Sequence, residues 1–189
     1  MTVLQVLKNA SLYLNLLDEF QPFFNEETQT EISTQTQKEF DKLLYALNLV
    51  VVEILSEYVE VVTEENIVFE NNLFDISCLA NDLNRVHNIV KNNKKIDFKL
   101  LADKIKAQVD GEVAITYSYY PKKLVVTDSL NFLNSKISLK TLALGVASEY
   151  CFINGFFDDA KIWEERFEKA LKGNLKMLGK VNLPNRRWI

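Results

Sequence analysis

Leu142-Ala143-Leu144-Gly145-Val146-Ala147-Ser148-Glu149-Tyr150-Cys151-Phe152-Ile153-Asn154-Gly155-Phe156-Phe157-Asp158-Asp159 is the stretch on which the fold turns. From about Ser138, Leu139, Leu142, Ala143, Val146, Ala147, Tyr150 and Ile153 recur at helical spacing and predict one buried face. Gly145 sits within that pattern, where a missing side chain lets another element approach closely. Asn154-Gly155 predicts a left-handed C-cap, a conformation glycine adopts without strain. Asp158 and Asp159 then mark a new helix start, where acids complement the exposed backbone N–H groups. Ala160, Trp163, Phe167 and Ala170-Leu171 form the stripe of this second helix, which is expected to end at Gly173. Two helices in a hairpin, with Trp163 and Phe167 filling the core, is the expectation.

Toward the C-terminus the chemistry changes. Residues 172–189 hold Lys172, Lys176, Lys180, Arg186 and Arg187 without one acid, and they close on Leu183-Pro184-Asn185-Arg186-Arg187-Trp188-Ile189. Pro184 disfavours helix just before it, so an extended arm is expected over 174–189. An apolar tip in water needs something to bury it, and Trp and Arg dominate binding hot spots. Leu183, Pro184, Arg186, Arg187, Trp188 and Ile189 are therefore the candidate docking residues.

Toward the N-terminus, Thr2-Val3-Leu4-Gln5 has the spacing of a capping box. Leu4, Leu7, Ser11, Leu14 and Leu17 follow as one helical stripe. Pro22 and the polar run Asn25 to Thr36 interrupt it. Thr36-x-x-Glu39 then opens a longer helix with Phe40, Leu43, Leu44, Leu47, Val51, Ile54, Leu55 and Tyr58 on one face. Beyond Val59 the texture becomes β. Asn71-Asn72, Asn92-Asn93 and Asp110-Gly111 each predict a tight hairpin turn between apolar runs. In the last run Val113, Ile115, Tyr117 and Tyr119 alternate with Glu112, Ala114, Thr116 and Ser118, the mark of a sheet with one buried face.

The reading is an α+β fold: a bundle of about four helices, an inserted antiparallel β region and an extended C-terminal arm. The expected segments are 1–58 (helices), 59–128 (β), 129–173 (helical hairpin packed on the first helices) and 174–189 (arm), in one compact domain.

The 189 residues suffice for a core without metal or disulfide help, and 48% apolar with 25% charged residues is ordinary for a globular protein. No apolar run is long enough to span a bilayer, and the start lacks the basic and small-residue features of a secretory signal. Cys78 and Cys151 are expected to be reduced, buried thiols. The net charge of -4 is unevenly spread, since residues 1–75 carry fourteen acids against three lysines. An acidic body of this kind opposes DNA wrapping, so an acidic partner surface suits the basic arm better.

Sites for chemistry leave recognisable residue patterns in a sequence. The five glycines are scattered singly, which excludes a phosphate loop, and one His with two distant cysteines supplies no clustered metal ligands. His87 falls in an expected strand. The pairs Glu26-Glu27, Glu64-Glu65, Asp158-Asp159 and Glu164-Glu165 diverge around a helix or strand and read as solvated faces. Tyr117, Tyr119 and Tyr120 beside Lys122 and Lys123 read as a strand at a sheet edge more readily than as a stacking platform for nucleic acid. No catalytic, cofactor or metal residue is assigned, and a non-enzymatic protein is expected.

Taken together, Leu142 to Tyr150, Asn154-Gly155-Phe156, Ala160-x-x-Trp163-x-x-Arg166-Phe167 and the Arg186-Arg187-Trp188 end resemble the head–tail adaptor (connector) proteins of tailed bacteriophages. The order of helices, β insertion, helical hairpin and extended terminus is similar over nearly the whole chain. The large insertion looks more like the tail-tube-gatekeeper variety. The resemblance implies a structural virion protein of the neck, made in the host bacterial cytoplasm. It implies self-assembly into a ring, of twelve subunits, between the portal protein and a downstream neck or tail protein. Genomic DNA would pass through that ring without sequence-specific binding, no membrane or cofactor being involved. It also implies that the C-terminal extension, here Arg186, Arg187 and Trp188, grips the portal. Other readings are a tail-completion or tail-terminator ring protein, and a regulatory or scaffolding protein with a peptide-like docking tail.

Overall fold

In the computed structural model, which describes residues 1–25, 32–133 and 136–176, the chain is an α+β protein with helices before and after a run of antiparallel strands. It divides into two units, Met1–Ile54 with Lys123–Ile189, and Leu55–Lys122. The strands expected within 59–128 run from Val62 to Tyr120.

The helical unit follows some of its local signals and departs from others. In α1 (Val3–Tyr13), Thr2 and Gln5 exchange both bonds of a capping box. The buried stripe is Val3, Val6, Leu7, Ala10 and Ser11, however, one step around the helix from the expected one. Leu4 lies at its margin, while Leu14 and Leu17 lie beyond the helix end, where Asn15 takes φ 58 and turns the chain. A short α2 (Gln21–Phe24) follows, and Phe23 stacks on Phe40 with ring centroids 4.0 Å apart. Helix α3 (Thr34–Glu57) starts two residues before Thr36, because Ser33 rather than Thr36 provides the cap: its hydroxyl accepts from the Thr36 N–H at 3.0 Å. Phe40, Leu43, Leu47, Val51 and Ile54 are buried as expected, together with Ala46 and Val50.

Residues 123–138 belong with the helices. Leu124 exchanges two hydrogen bonds with the Asn48 side chain. Thr2 bridges Ser129, and the Val3 and Leu130 N–H groups donate to Asp128 and Met1 carbonyls. Helix α4 (Leu139–Ile153), capped by Ser138, does not expose a polar face: every residue from Thr141 to Ser148 is buried. It is the central helix of the unit. Helix α5 (Phe157–Lys176) runs through Gly173 instead of stopping there, and Leu175 is buried in its last turn. Asn174 holds that turn on α4 by donating to the Thr141 hydroxyl.

In the second unit β1 (Val62–Phe69), β2 (Leu73–Asp75), β3 (Asp82–Lys91), β4 (Lys94–Lys95), β5 (Phe98–Leu100), β6 (Lys104–Ala107) and β7 (Gly111–Tyr120) form two antiparallel sheets. Their strand orders are β1-β7-β3-β4 and β2-β6-β5. Asn71-Asn72 (φ 52 and 62) and Asn92-Asn93 (φ 51 and 62) make the predicted turns, both central residues being left-handed as such turns demand. Asp110-Gly111 does not join a hairpin. Only Gly111 has positive φ there (+84), and the dipeptide carries the chain from the second sheet to the first. The Asp110 carboxylate accepts from the Asn72 N–H at 2.8 Å and so ties this crossing to the first turn. Ile67, Phe69, Phe74, Ile89, Ile105, Val113, Ile115 and Tyr117 form one core drawn from both sheets.

Candidate functional site

Glycines place the helical hairpin. Gly155 has φ +78, as its reading as a C-cap requires, with nothing within 4 Å of where a Cβ would stand. At Gly145 a Cβ would come within 2.8 Å of Val50 Cγ1 and 3.0 Å of Phe167 Cε2, so α3 and α5 both close on α4 at this point. Phe167 is buried there.

Trp163 is not a core residue. It is half-buried and stacks on Tyr13 of α1, with ring centroids 5.7 Å apart and planes 18° from parallel. The Arg166 guanidinium lies over the indole, 4.8 Å from its centroid. The stripe position predicted for Trp163 lies at the rim of the α1–α4–α5 seam, where a large amphipathic ring suits a half-wet setting.

This aromatic pair separates two open grooves. One, of about 610 Å³, is lined by Tyr13, Trp163, Lys140, Arg166 and Lys169, with Leu144 and Ala170 as its apolar floor. The other, of about 380 Å³, is lined by Leu14 and Leu16 after α1, by Tyr150 and Cys151 of α4, and by Phe156 and Asp159. Burial, with Asp159 acting the same way, pushes the Cys151 thiol up, so it stays protonated and unreactive. Cys78 is exposed in the second unit, contrary to its expected burial, because the 3-10 turn Ile76–Cys78 carries it to the surface.

Around the hairpin, carboxylates brace the helices. Glu39 accepts from Lys42 at 2.9 Å and from the Tyr150 hydroxyl at 3.0 Å, and Lys42 also reaches Asn154 Oδ1 at 2.8 Å. The Lys42 hydrogen bond outweighs burial and, with Tyr150, holds the Glu39 carboxyl below its usual value. Burial and then the Glu39 carboxylate push Tyr150 upward, so it remains a donor. Glu149 moves the other way: burial first, then the Glu164 carboxylate, raise it.

The tyrosines of β7 are accounted for by packing. Tyr117 is fully buried with its hydroxyl on Glu65 at 2.8 Å, and Tyr120 donates to Asn84 at 3.1 Å. The strand is central rather than at the sheet edge that its composition suggested. His87 lies on β3, 3.4 Å from a Glu60 oxygen.

Among the described residues no group of three or more His, Cys, Asp or Glu is placed to hold a metal ion, and no helix is long and apolar enough to cross a membrane. The docking residues Leu183, Pro184, Arg186, Arg187, Trp188 and Ile189 lie outside the described residues. The groove cations Lys140 and Lys169 were missed by sequence reading. Trp163, Arg166 and Lys169 recur every third position, which places them on one side of α5, but nothing local announces Tyr13 or Lys140 as their neighbours. Comparison with protein-family models and with curated proteins returns no match.

Proposed function

We propose that the protein is a structural subunit that assembles through its helical unit, a head–tail adaptor of a tailed bacteriophage, forming a ring between the portal and the next neck or tail protein. The observation that carries this reading is the apolar surface left open on that unit. On α3, Tyr45, Leu49 and Val52 are exposed at helical spacing, one stripe on the side away from the core. At the α4–α5 corner, Phe152, Phe156 and Phe157 are exposed together, and Phe157 keeps 66% of its surface in water. The Phe152 and Phe157 rings lie 6.3 Å apart. Clustered exposed aromatics mark interaction surfaces. Two unlike apolar stretches on one unit supply what a head-to-tail ring needs, a contact between different surfaces of neighbouring copies. The basic residues 180–189, ending in Trp188-Ile189, are the portal-gripping part of the proposal, and DNA passes the ring without base-specific contact.

Mass photometry of the purified chain, alone and mixed with its portal, tests the reading. A ring-sized species is expected. Leu49→Glu with Val52→Glu, or Phe156→Ser with Phe157→Ser, should return it to monomer without lowering the melting temperature, since these side chains face water in the free unit. A chain that stays monomeric with and without portal, or rings unaffected by both double substitutions, overturns the proposal.

A further inference from the structure

The larger groove has a composition that ring assembly does not use. Its walls carry Lys140, Arg166 and Lys169, and none of its lining residues is acidic. Among the described residues, none of these three cations lies within ion-pair distance of a carboxylate, whereas the nearby Lys172 is paired with Glu168 at 2.8 Å. Arg166 is held over the Trp163 ring, which in turn rests on Tyr13. A guanidinium fixed in this way loses little freedom when it takes up a carboxylate through two parallel N–H bonds.

We infer that this groove is a docking site for an acidic peptide segment of a partner protein, one in which carboxylates flank an apolar side chain. The apolar floor of Leu144 and Ala170 takes the apolar side chain, while Arg166, Lys140 and Lys169 take the carboxylates. From Trp163 to Ala170 the groove follows two turns of α5, roughly 10 Å of helix, which matches about three residues of extended chain. Nucleic acid fits less well. The Trp163 indole is already engaged by a phenol and a guanidinium, so it supports Arg166 rather than serving as a platform for bases. Helix α5 also carries Asp158, Asp159, Glu164, Glu165 and Glu168, which leaves no continuous basic track for a polyanion. Tyr, Trp and Arg together are the residue types that anchor protein interfaces.

The test uses the full chain with Trp188→Phe, which leaves Trp163 as its single tryptophan. The probe is a fluorescein-labelled synthetic peptide alternating glutamate with leucine. Its counterpart with glutamine for glutamate, an oligothymidylate and inorganic phosphate complete the set. The acidic peptide should change Trp163 emission and gain anisotropy, with binding that weakens as salt rises. Arg166→Glu should weaken it about tenfold or more, the factor for losing one charge-assisted hydrogen bond. Lys140→Gln with Lys169→Gln should weaken it in the same direction. All three side chains are exposed, so the lysine variants should keep the parental melt; Arg166→Glu also gives up its place over Trp163, and Lys169→Gln alone serves if its melt falls. The glutamine peptide should not bind. The inference is overturned if the acidic peptide leaves Trp163 emission unchanged, if it binds Arg166→Glu as tightly as the parent, or if oligothymidylate or phosphate binds with the same dependence on Arg166. The outcome does not depend on whether the chain forms rings.

Discussion

Gly145 and Gly155 lie ten positions apart in one hairpin yet are required for opposite reasons. Gly145 leaves room for Val50 and Phe167, so Gly145→Ala should destabilise by overpacking, about 1–3 kcal/mol. Gly155 has open space around it and a left-handed backbone, so Gly155→Ala should cost about 1–2 kcal/mol through backbone strain alone. Denaturant titration checks both, and the second value should persist when Phe167 is shortened while the first should shrink, because only Gly145 touches that ring. Phe167→Ala should itself cost roughly 3–5 kcal/mol as a buried ring. Trp163→Ala should cost only about 1–2 kcal/mol, the value of a half-buried ring and one stacking partner. Equal losses for the two aromatics would place Trp163 in the core after all. Thiol labelling of the native chain should modify Cys78 rapidly and Cys151 only on unfolding, given the exposure of one and the burial of the other.

At the scale of elements, α3 and α4 carry carboxylates whose response to pH is opposite. Glu39 is held low by Lys42, so the stability it contributes is present above the unfolded value of 4.5 and is lost as pH falls through its folded pKa. Glu149 is raised by burial and Glu164, so the stability linked to it is whole below 4.5 and is lost as pH rises through its folded pKa. Glu149→Gln should therefore raise the melting temperature at neutral pH, and the gain should close as pH falls below 4.5, where the parent carboxyl is protonated in both states. A gain that is independent of pH would contradict this origin. The strand turns show how far local chemistry reaches. Asn71-Asn72 and Asn92-Asn93 were readable because two adjacent left-handed residues suit this turn and few others. Asp110-Gly111 has the same signal but joins β6 and β7 of different sheets, and Asn71-Asn72 likewise leads from β1 in one sheet to β2 in the other, with only the Glu70–Leu73 bridge closing its turn. The turn residues set a change of direction, and the partner of each strand was set elsewhere.

At the scale of the whole molecule the proposal separates a folded body from a docking arm. Deleting Leu183 to Ile189 should leave the melting temperature unchanged and remove binding to the portal, measured by co-sedimentation; undiminished portal binding would remove the arm from the proposed mechanism. The β unit has its own core, and the exposed apolar stretches used in the proposal belong to the helical unit.

The sequence by itself determined the α+β class, the cap at Thr2, the left-handed turns at Asn71-Asn72, Asn92-Asn93 and Gly155, and the buried face of α3. Each of these depends on residues within about one helical turn or one strand repeat, so neighbouring chemistry suffices to fix it. Tertiary structure decided that α4 is buried on all sides from Thr141 to Ser148, that β7 is a central strand, and that residues 123–138 close the helical unit rather than the sheets. It also decided that Trp163 meets Tyr13 and Arg166 at a groove instead of entering the core. These outcomes depend on which distant segments pack together. Apolar burial has no direction along the chain, so a stripe announces that it will be covered without saying by what.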